Sequence, residues 1–161
     1  MSQIIKVGMA DMNVCRVPDR ITTLGLGSCV GVVIYEPYAP VCGMVHIMLP
    51  NSKAITNNEN PAKFADTGIM LLADKLAAMG LSRSKMRAKI AGGARMFKYV
   101  AASDMLKVGE RNAEAVKAVL QSLSIPLLAE DCGGDFGRTI EFDPKTAELC
   151  IRSIGRPEKI I

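Results

Sequence analysis

Cys29 is the residue of this 161-residue chain best placed to act as a nucleophile, and His46 is the sequence's only histidine. A cysteine attacks a carbonyl carbon as the thiolate, and a neighbouring imidazole can take the thiol proton. The two residues lie on strand-like runs on either side of the short turn at residues 35–40. This combination indicates a cysteine hydrolase.

The runs at residues 30–34 and 42–49 are rich in apolar residues, and the two prolines of the turn between them break regular pairing. This pattern predicts an antiparallel hairpin. If pairing is symmetric about the turn, Cys29 directly faces His46, with Cβ atoms roughly 4.5–5.5 Å apart. The hairpin therefore predicts a Cys/His dyad on one face of the sheet, and a slip of one residue would separate the pair.

Gly25 and Gly27 precede the thiol closely. Glycine permits positive φ and a close approach of the backbone, so a substrate carbonyl could reach main-chain N–H groups that stabilise an oxyanion. The N–H of Cys29 is the clearest candidate. The alternative is that these glycines mark a β-bulge or a tight bend without chemistry.

Metal and cofactor chemistry are poorly supported. One histidine cannot build a multi-histidine metal site, and no two cysteines form a C-x-x-C pair. The sequence contains neither a P-loop nor a G-x-S-x-G serine motif. We therefore expect no metal and no cofactor.

Length and composition suit one globular domain, with 49% hydrophobic and 22% charged residues. No apolar run is long enough to cross a bilayer, and the N-terminus lacks a signal-peptide pattern. Five scattered cysteines agree with a reducing compartment. These features predict a cytoplasmic protein without membrane insertion. Nucleic-acid binding is not expected, because the net charge is only +4 and aromatic residues make up 4%.

The remaining pattern predicts an α/β fold. Helices are expected from Pro61 to Gly80 and from about Ala113 to Leu123, where apolar residues recur at helical spacing. Strands are expected at residues 4–9, in the hairpin at about 23–49, and at 88–91, 127–130, 138–142 and 148–153. Together they predict a single domain with a mixed, largely antiparallel β-sheet packed by two main helices. The charged residues 156–161 are expected to form a flexible tail after a domain at 1–155.

Several motifs resemble the bacterial chemoreceptor glutamine deamidases of the CheD family, over nearly the whole chain. The matching segments are Thr23-Leu24-Gly25-Leu26-Gly27-Ser28-Cys29, Met44-Val45-His46-Ile47-Met48-Leu49-Pro50, Lys89-Ile90-Ala91-Gly92-Gly93-Ala94, Gly109-Glu110-Arg111-Asn112, and Ala129-Glu130-Asp131 with Gly133-Gly134. The resemblance implies the catalytic fold that this family shares with the cytotoxic necrotizing toxins. It also implies a Cys/His/Thr triad of Cys29, His46 and Thr23.

The activity implied by the resemblance is deamidation of glutamine side chains on the cytoplasmic helices of methyl-accepting chemoreceptors. Cys29 would form a thioester and release ammonia, and water would then produce glutamate. The backbone N–H groups of Gly27, Ser28 and Cys29 would hold the oxyanion, and Thr23 would orient the imidazole. The family also implies binding to, and stimulation of, a CheC-type phosphatase.

The residues add one geometric condition to the triad. A straight strand of six residues spans about 20 Å, so Gly25 and Gly27 must bend the chain if Thr23 is to reach a histidine beside Cys29. Without such a bend, the triad assignment fails for Thr23 and only the dyad of Cys29 and His46 remains. The alternative for Thr23 is an ordinary strand threonine, and for His46 a core histidine with satisfied hydrogen bonds. Two other functions remain open: a non-catalytic adaptor that binds CheC or receptors, and a small-molecule amidase, which would need an enclosed pocket rather than an open groove.

Overall fold

The computed structural model describes residues 2–96 and 107–161, which form ten strands and two α-helices. In chain order the elements are β1 (Ile4–Val7), β2 (Met12–Arg16), β3 (Arg20–Leu26), β4 (Val30–Tyr35), β5 (Val41–Ile47), α1 (Ala65–Ala78), β6 (Arg87–Gly92), α2 (Val108–Ser122), β7 (Leu127–Cys132), β8 (Arg138–Asp143), β9 (Glu148–Arg152) and β10 (Lys159–Ile160). Neither helix within these ranges combines the length and the apolarity that a membrane span requires.

The strands form two five-stranded sheets. Sheet A has the order β1-β3-β8-β9-β10, and sheet B has the order β2-β5-β4-β6-β7. The pairs β1–β3 and β6–β7 are parallel, and the other pairs in the described ranges are antiparallel. The predicted α/β fold with mixed, largely antiparallel pairing and two main helices is confirmed. The structure adds that the strands are divided between two sheets.

Sheet B is the middle of three layers, because its strands alternate between two apolar environments. On β4, Val30, Val32 and Ile34 belong to the cluster packed by α1 and α2, whereas Val33 and Tyr35 belong to the cluster shared with sheet A. Full burial of such side chains contributes roughly 1.5–3 kcal/mol each. We call the second cluster the inter-sheet layer; its sheet A side includes Ile140 and Phe142. It also contains Cys29.

The hairpin forms, but its predicted register is wrong by two residues. His46 lies directly opposite Gly31 rather than Cys29, and the pairing of β4 with β5 ends at Val30 and Ile47. A six-residue connection leaves register to side-chain packing, and a shift of two preserves which face each residue occupies. Cys29 lies just before β4, outside the strand. It is therefore a diagonal neighbour of His46, not a direct partner.

The sequence analysis also missed β2 and placed one helix start too late. β2 (Met12–Arg16) pairs with β5 at the edge of sheet B, and its short, partly polar sequence carries little strand signal. α2 begins at Val108, five residues before the predicted start at Ala113, because its first turn is not apolar. Pro61 opens a 3-10 turn, and α1 follows from Ala65.

The C-terminal residues differ from the flexible tail predicted for 156–161. β10 pairs with β9 through Lys159 opposite Ile151 and Ile160 opposite Cys150. The backbone groups of Leu149 and Ile161 exchange two hydrogen bonds of 2.9 Å. This pairing makes the C-terminal residues the edge of sheet A.

Candidate active site

The three predicted site residues come from both sheets and from the link between them. Thr23 lies on β3 of sheet A, and His46 lies on β5 of sheet B. Its neighbour Val45 faces the helices, so the His46 side chain faces the inter-sheet layer. Cys29 lies on the link by which the chain passes from sheet A to sheet B. All three are buried: Thr23 and His46 are 0% exposed and Cys29 is 7% exposed.

A bulge in β3 supplies the bend that the triad requires. The pairing of β3 with β8 shifts between Thr23 and Leu26, and Gly25 within this bulge has a φ of +71°. Only glycine adopts this left-handed conformation without steric cost. The chain therefore turns between Thr23 and Cys29 instead of running straight, and the condition set by the sequence for Thr23 is met.

The Thr23 hydroxyl fixes the tautomer of His46. Its Oγ1 lies 2.8 Å from the carbonyl oxygen of Val7 and 2.7 Å from His46 Nδ1. A carbonyl oxygen only accepts, so the single hydroxyl proton of Thr23 goes to Val7. The hydroxyl oxygen must then accept from His46 Nδ1–H, which leaves Nε2 without a proton. Nε2 is the basic nitrogen of this imidazole.

Burial keeps both the imidazole and the thiol in their neutral forms. Burial lowers the pKa of His46 below its ordinary value and raises the pKa of the Cys29 thiol above its ordinary value. Within the described ranges, His46 Nε2 is buried and has no hydrogen-bond partner. At rest, Cys29 is therefore a thiol and His46 a neutral imidazole, and no hydrogen bond joins His46 Nε2 to the Cys29 thiol.

The segment Gly92-Gly93-Ala94 holds the backbone around Cys29. Gly93 N–H donates to Cys29 O at 2.9 Å, and Ala94 N–H donates to Gly27 O at 2.8 Å. Gly92 has a φ of +123°, and a Cβ at this position would lie only 2.2 Å from Cys29 O. Gly92 is thus required for the close approach of β6 to the Cys29 segment.

The predicted oxyanion donors are not equivalent. The N–H of Gly27 already donates to Gly25 O at 3.1 Å. This hydrogen bond leaves the N–H groups of Ser28 and Cys29 as the candidates for an oxyanion.

Two further side chains, those of Arg138 and Asn112, hydrogen-bond to backbone carbonyl groups around the site. Arg138, 3% exposed, donates to Gly92 O at 3.4 Å and Gly133 O at 2.9 Å, and pairs with Asp131 at 2.9 Å. Burial alone would raise the pKa of Asp131, but hydrogen bonds from Arg138 and Lys159 outweigh it and lower that pKa. The sequence reading missed Arg138, whose position at a strand start carries no distinctive signal.

Asn112 on α2 is the second support. Its Nδ2 donates to Ser28 O and to Met48 O, each at 2.9 Å. The sequence placed Asn112 in a motif without giving it a specific role, and the α2 register shows which backbone groups it reaches.

The chain is similar to known proteins over most or all of its length. A family model described as CheD chemotactic sensory transduction matches residues 48–153. A protein of Lachnoclostridium phytofermentans named probable chemoreceptor glutamine deamidase CheD is 62% identical over 100% of both chains. Proteins named chemoreceptor glutamine deamidase CheD are 54% identical in Halalkalibacterium halodurans, over 100% of both chains, and 49% identical in Bacillus licheniformis, over 95% of this chain and 92% of that one.

Likeness to solved structures is weaker. Neisseria meningitidis protein NMB0706 superposes with a TM-score of 0.48 and 8% identity, covering 80% of this chain and 64% of its own, which is too little to assign a function. The family match and the full-length relatives do show the family: the chain belongs to the CheD family of chemotaxis proteins.

Proposed function

We propose that this protein deamidates glutamine side chains of methyl-accepting chemoreceptors to glutamate, with Cys29 as nucleophile, His46 as general base and Thr23 as the residue that orients the imidazole. The relatives' names support the reaction and its substrate. The observation that carries the residue roles is the Thr23–His46 hydrogen bond, because it leaves His46 Nε2 as a free base at the inter-sheet layer.

The first step is proton transfer from Cys29 to His46. Because the resting thiol is neutral, it must lose its proton to Nε2 as the sulfur approaches the glutamine carboxamide. The Thr23 hydroxyl keeps Nδ1 protonated and so stabilises the imidazolium in the correct orientation. The transfer requires Cys29 Sγ to come within hydrogen-bond reach of His46 Nε2, a contact that in catalytic sites often tightens only when substrate binds.

The thiolate then attacks the carboxamide carbon, and the carbonyl oxygen becomes an oxyanion. The N–H groups of Ser28 and Cys29 are the donors we assign to this oxyanion. The tetrahedral intermediate collapses with cleavage of the C–N bond, and the nitrogen leaves as ammonia after accepting the proton held on His46 Nε2. A thioester at Cys29 remains.

Water completes the reaction. His46, neutral again, takes a proton from water as the oxygen attacks the thioester carbon. The C–S bond breaks and the proton returns to the Cys29 sulfur. The net change is carboxamide plus water to carboxylic acid plus ammonia, and the enzyme is regenerated.

We place this activity in the cytoplasm, on receptor cytoplasmic helices. All five cysteines are free thiols, as is typical of a reducing compartment. We also propose, on the strength of the family resemblance, that a CheC-type phosphatase binds this protein on the same surface that receives receptor helices. The test is competition: an excess of the CheC-type phosphatase should slow deamidation, and a titration in which the rate does not change would contradict a shared surface.

The proposed reaction is tested by mass spectrometry of a purified receptor cytoplasmic fragment incubated with wild type or with Cys29→Ala. Wild type should convert specific glutamines to glutamates with release of ammonia, and Cys29→Ala should not. If neither protein converts glutamine while both bind the receptor fragment, the non-catalytic adaptor is the better description. If free glutamine or small amides react faster than the fragment, the protein is a small-molecule amidase instead.

A further inference from the structure

We propose that Asn112 is a positioning residue that holds the Cys29 segment and the end of the His46 strand at a fixed separation. This inference rests on the proposed roles of Cys29 and His46. The sequence motif that contains Asn112 does not indicate such a role. The two hydrogen bonds of Asn112 Nδ2 go to backbone carbonyl groups, not to the Cys29 thiol or the His46 imidazole.

We call the Asn112 side chain and its two hydrogen bonds, to Ser28 O and Met48 O, the clamp. It lies where the pairing of β4 with β5 ends. Pairing between β4 and β5 ends at Val30 and Ile47, so no ladder hydrogen bond joins the residues just beyond. Ser28 and Met48 are those residues, two positions outside Val30 and one position outside Ile47. The two protons of Asn112 Nδ2 go to their carbonyl oxygens, each at 2.9 Å. One side chain thus replaces the missing ladder bonds between the two segments.

The clamp acts directly beside the reacting groups. Ser28 immediately precedes Cys29, and Met48 follows His46 by two residues. Because Cys29 lies outside β4, strand pairing does not hold its sulfur relative to His46 Nε2. A displacement of about 1 Å between reacting groups can cost on the order of 100-fold in rate.

The orientation of the amide is determined by its partners. Both contacts are carbonyl oxygens, which only accept, so the NH₂ group must face them. The Oδ1 atom is then left buried and, within residues 2–96 and 107–161, without a hydrogen-bond partner, while the residue is 0% exposed. An unpaired buried acceptor is unfavourable, whereas replacing the amide with an apolar group would leave two carbonyl oxygens unpaired. The arrangement indicates that Asn112 is kept for its two donors.

The test compares Asn112→Ala and Asn112→Asp with Val116→Ala. Val116 is 0% exposed, lies one turn further along α2 and belongs to the apolar cluster packed by the helices, so its truncation weakens the same helix without removing a hydrogen bond to Ser28 or Met48. Asp keeps the size of Asn but replaces the two donors with an acceptor. Deamidation of a receptor fragment is measured at a temperature where all variants are folded, with kcat and KM determined separately.

We expect both Asn112 variants to lower kcat on the order of 100-fold, with KM changed less than about threefold. Val116→Ala should keep kcat within about threefold of wild type even where it lowers the melting temperature. Equal kcat losses in Asn112→Ala and Val116→Ala, or a wild-type kcat in Asn112→Asp, would overturn the clamp. An inactive wild type would instead overturn the proposed function.

A second measurement uses only the wild type and so does not depend on how the variants fold. Side-chain amide NMR should show both Nδ2 protons of Asn112 protected from hydrogen exchange to a degree comparable with the strand amides of β5. Exchange as fast as that of the exposed Asn57 side chain would show that the clamp is not formed, whatever the variants do.

Discussion

Cys29 and Cys42 are two buried thiols of the same inter-sheet layer, and they differ in their backbone surroundings. Cys42 lies within β5, directly opposite Cys15, and its hydrogen bond with Cys15 and its burial raise its pKa. The pKa of Cys29 is also raised, by burial. Cys29, however, lies on the link between β3 and β4, where the chain crosses between the sheets. It is therefore outside the pairing of β4 with β5, and the N–H groups of Ser28 and Cys29 lie on this link. Burial and pKa do not separate the two thiols, so the break in the ladder is the feature that distinguishes Cys29, the nucleophile we propose, from Cys42.

The largest effect should come from the same substitution at both thiols. Cys29→Ser should lower the deamidation rate by about 10⁵-fold or more, because the nucleophile is lost. Cys42→Ser should leave kcat within about twofold and cost about 1–2 kcal/mol in the free energy of unfolding, because it changes core packing and the hydrogen bond with Cys15 but not the proposed site. Single-turnover assays and chemical denaturation measure the two quantities. A Cys42→Ser protein as inactive as Cys29→Ser would show that the two regions are not distinct.

A smaller effect should separate Thr23 from its neighbour Thr22. Both hydroxyls are buried and both donate to a carbonyl oxygen, but only Thr23 also contacts His46; Thr22 donates to Ile140 O at 2.7 Å. Thr23→Val should lower kcat about 10- to 100-fold, as expected for a group that fixes the orientation and tautomer of a catalytic imidazole. Thr22→Val should lower the melting temperature and spare kcat. Thr23→Ser should restore most of the activity, and failure of that rescue would contradict the role of the hydroxyl.

Two glycine substitutions probe the support of the Cys29 segment. Gly92→Ala should reduce activity about tenfold and cost about 1–3 kcal/mol in stability, because its Cβ would displace Cys29 O and its φ is +123°. Gly80→Ala should lower the free energy of unfolding by a similar amount through its φ of +106°, but its Cβ would meet no atom within 4 Å. Activity and thermal unfolding are measured for both. Equal activity losses would show that backbone strain, not displacement of Cys29, is responsible.

The smallest effect concerns pH and belongs to the His46 region. Burial lowers the pKa of His46 in the folded protein, so below about pH 6.5 the unfolded chain binds more protons at this residue. The stability contributed by neutral His46 is complete above that pH and is lost as the pH falls towards the folded value, by at most about 1.4 kcal/mol per pH unit. Denaturation from pH 8 to pH 5 measures this slope. His46→Asn should flatten it and Cys42→Ser should not; an unchanged slope in His46→Asn would assign it to other groups.

Local patterns allowed the sequence to predict most of the architecture. The apolar stripes identified both helices, and the glycines before Cys29 indicated a bend that the β3 bulge provides. The register of the hairpin was wrong because its six-residue turn sets no register, and packing against two layers decided it. The division into two sheets was not predictable locally, since strand signals do not say which strands pair. Arg138 was missed for the same reason: its partners, Asp131 and Gly92, meet it only in the folded chain.

Covalent labelling tests most directly whether the ladder break marks the nucleophile. The protein is treated with a receptor peptide whose glutamine carboxamide is replaced by a chloromethyl ketone, and peptide-resolved mass spectrometry reports the modification at each cysteine. Exposure alone would favour Cys132 and Cys150, which are less buried than Cys29. We predict that Cys29 is modified first and that His46→Asn abolishes its advantage. Preferential labelling of Cys132 or Cys150, with Cys29 left unmodified, would contradict the account.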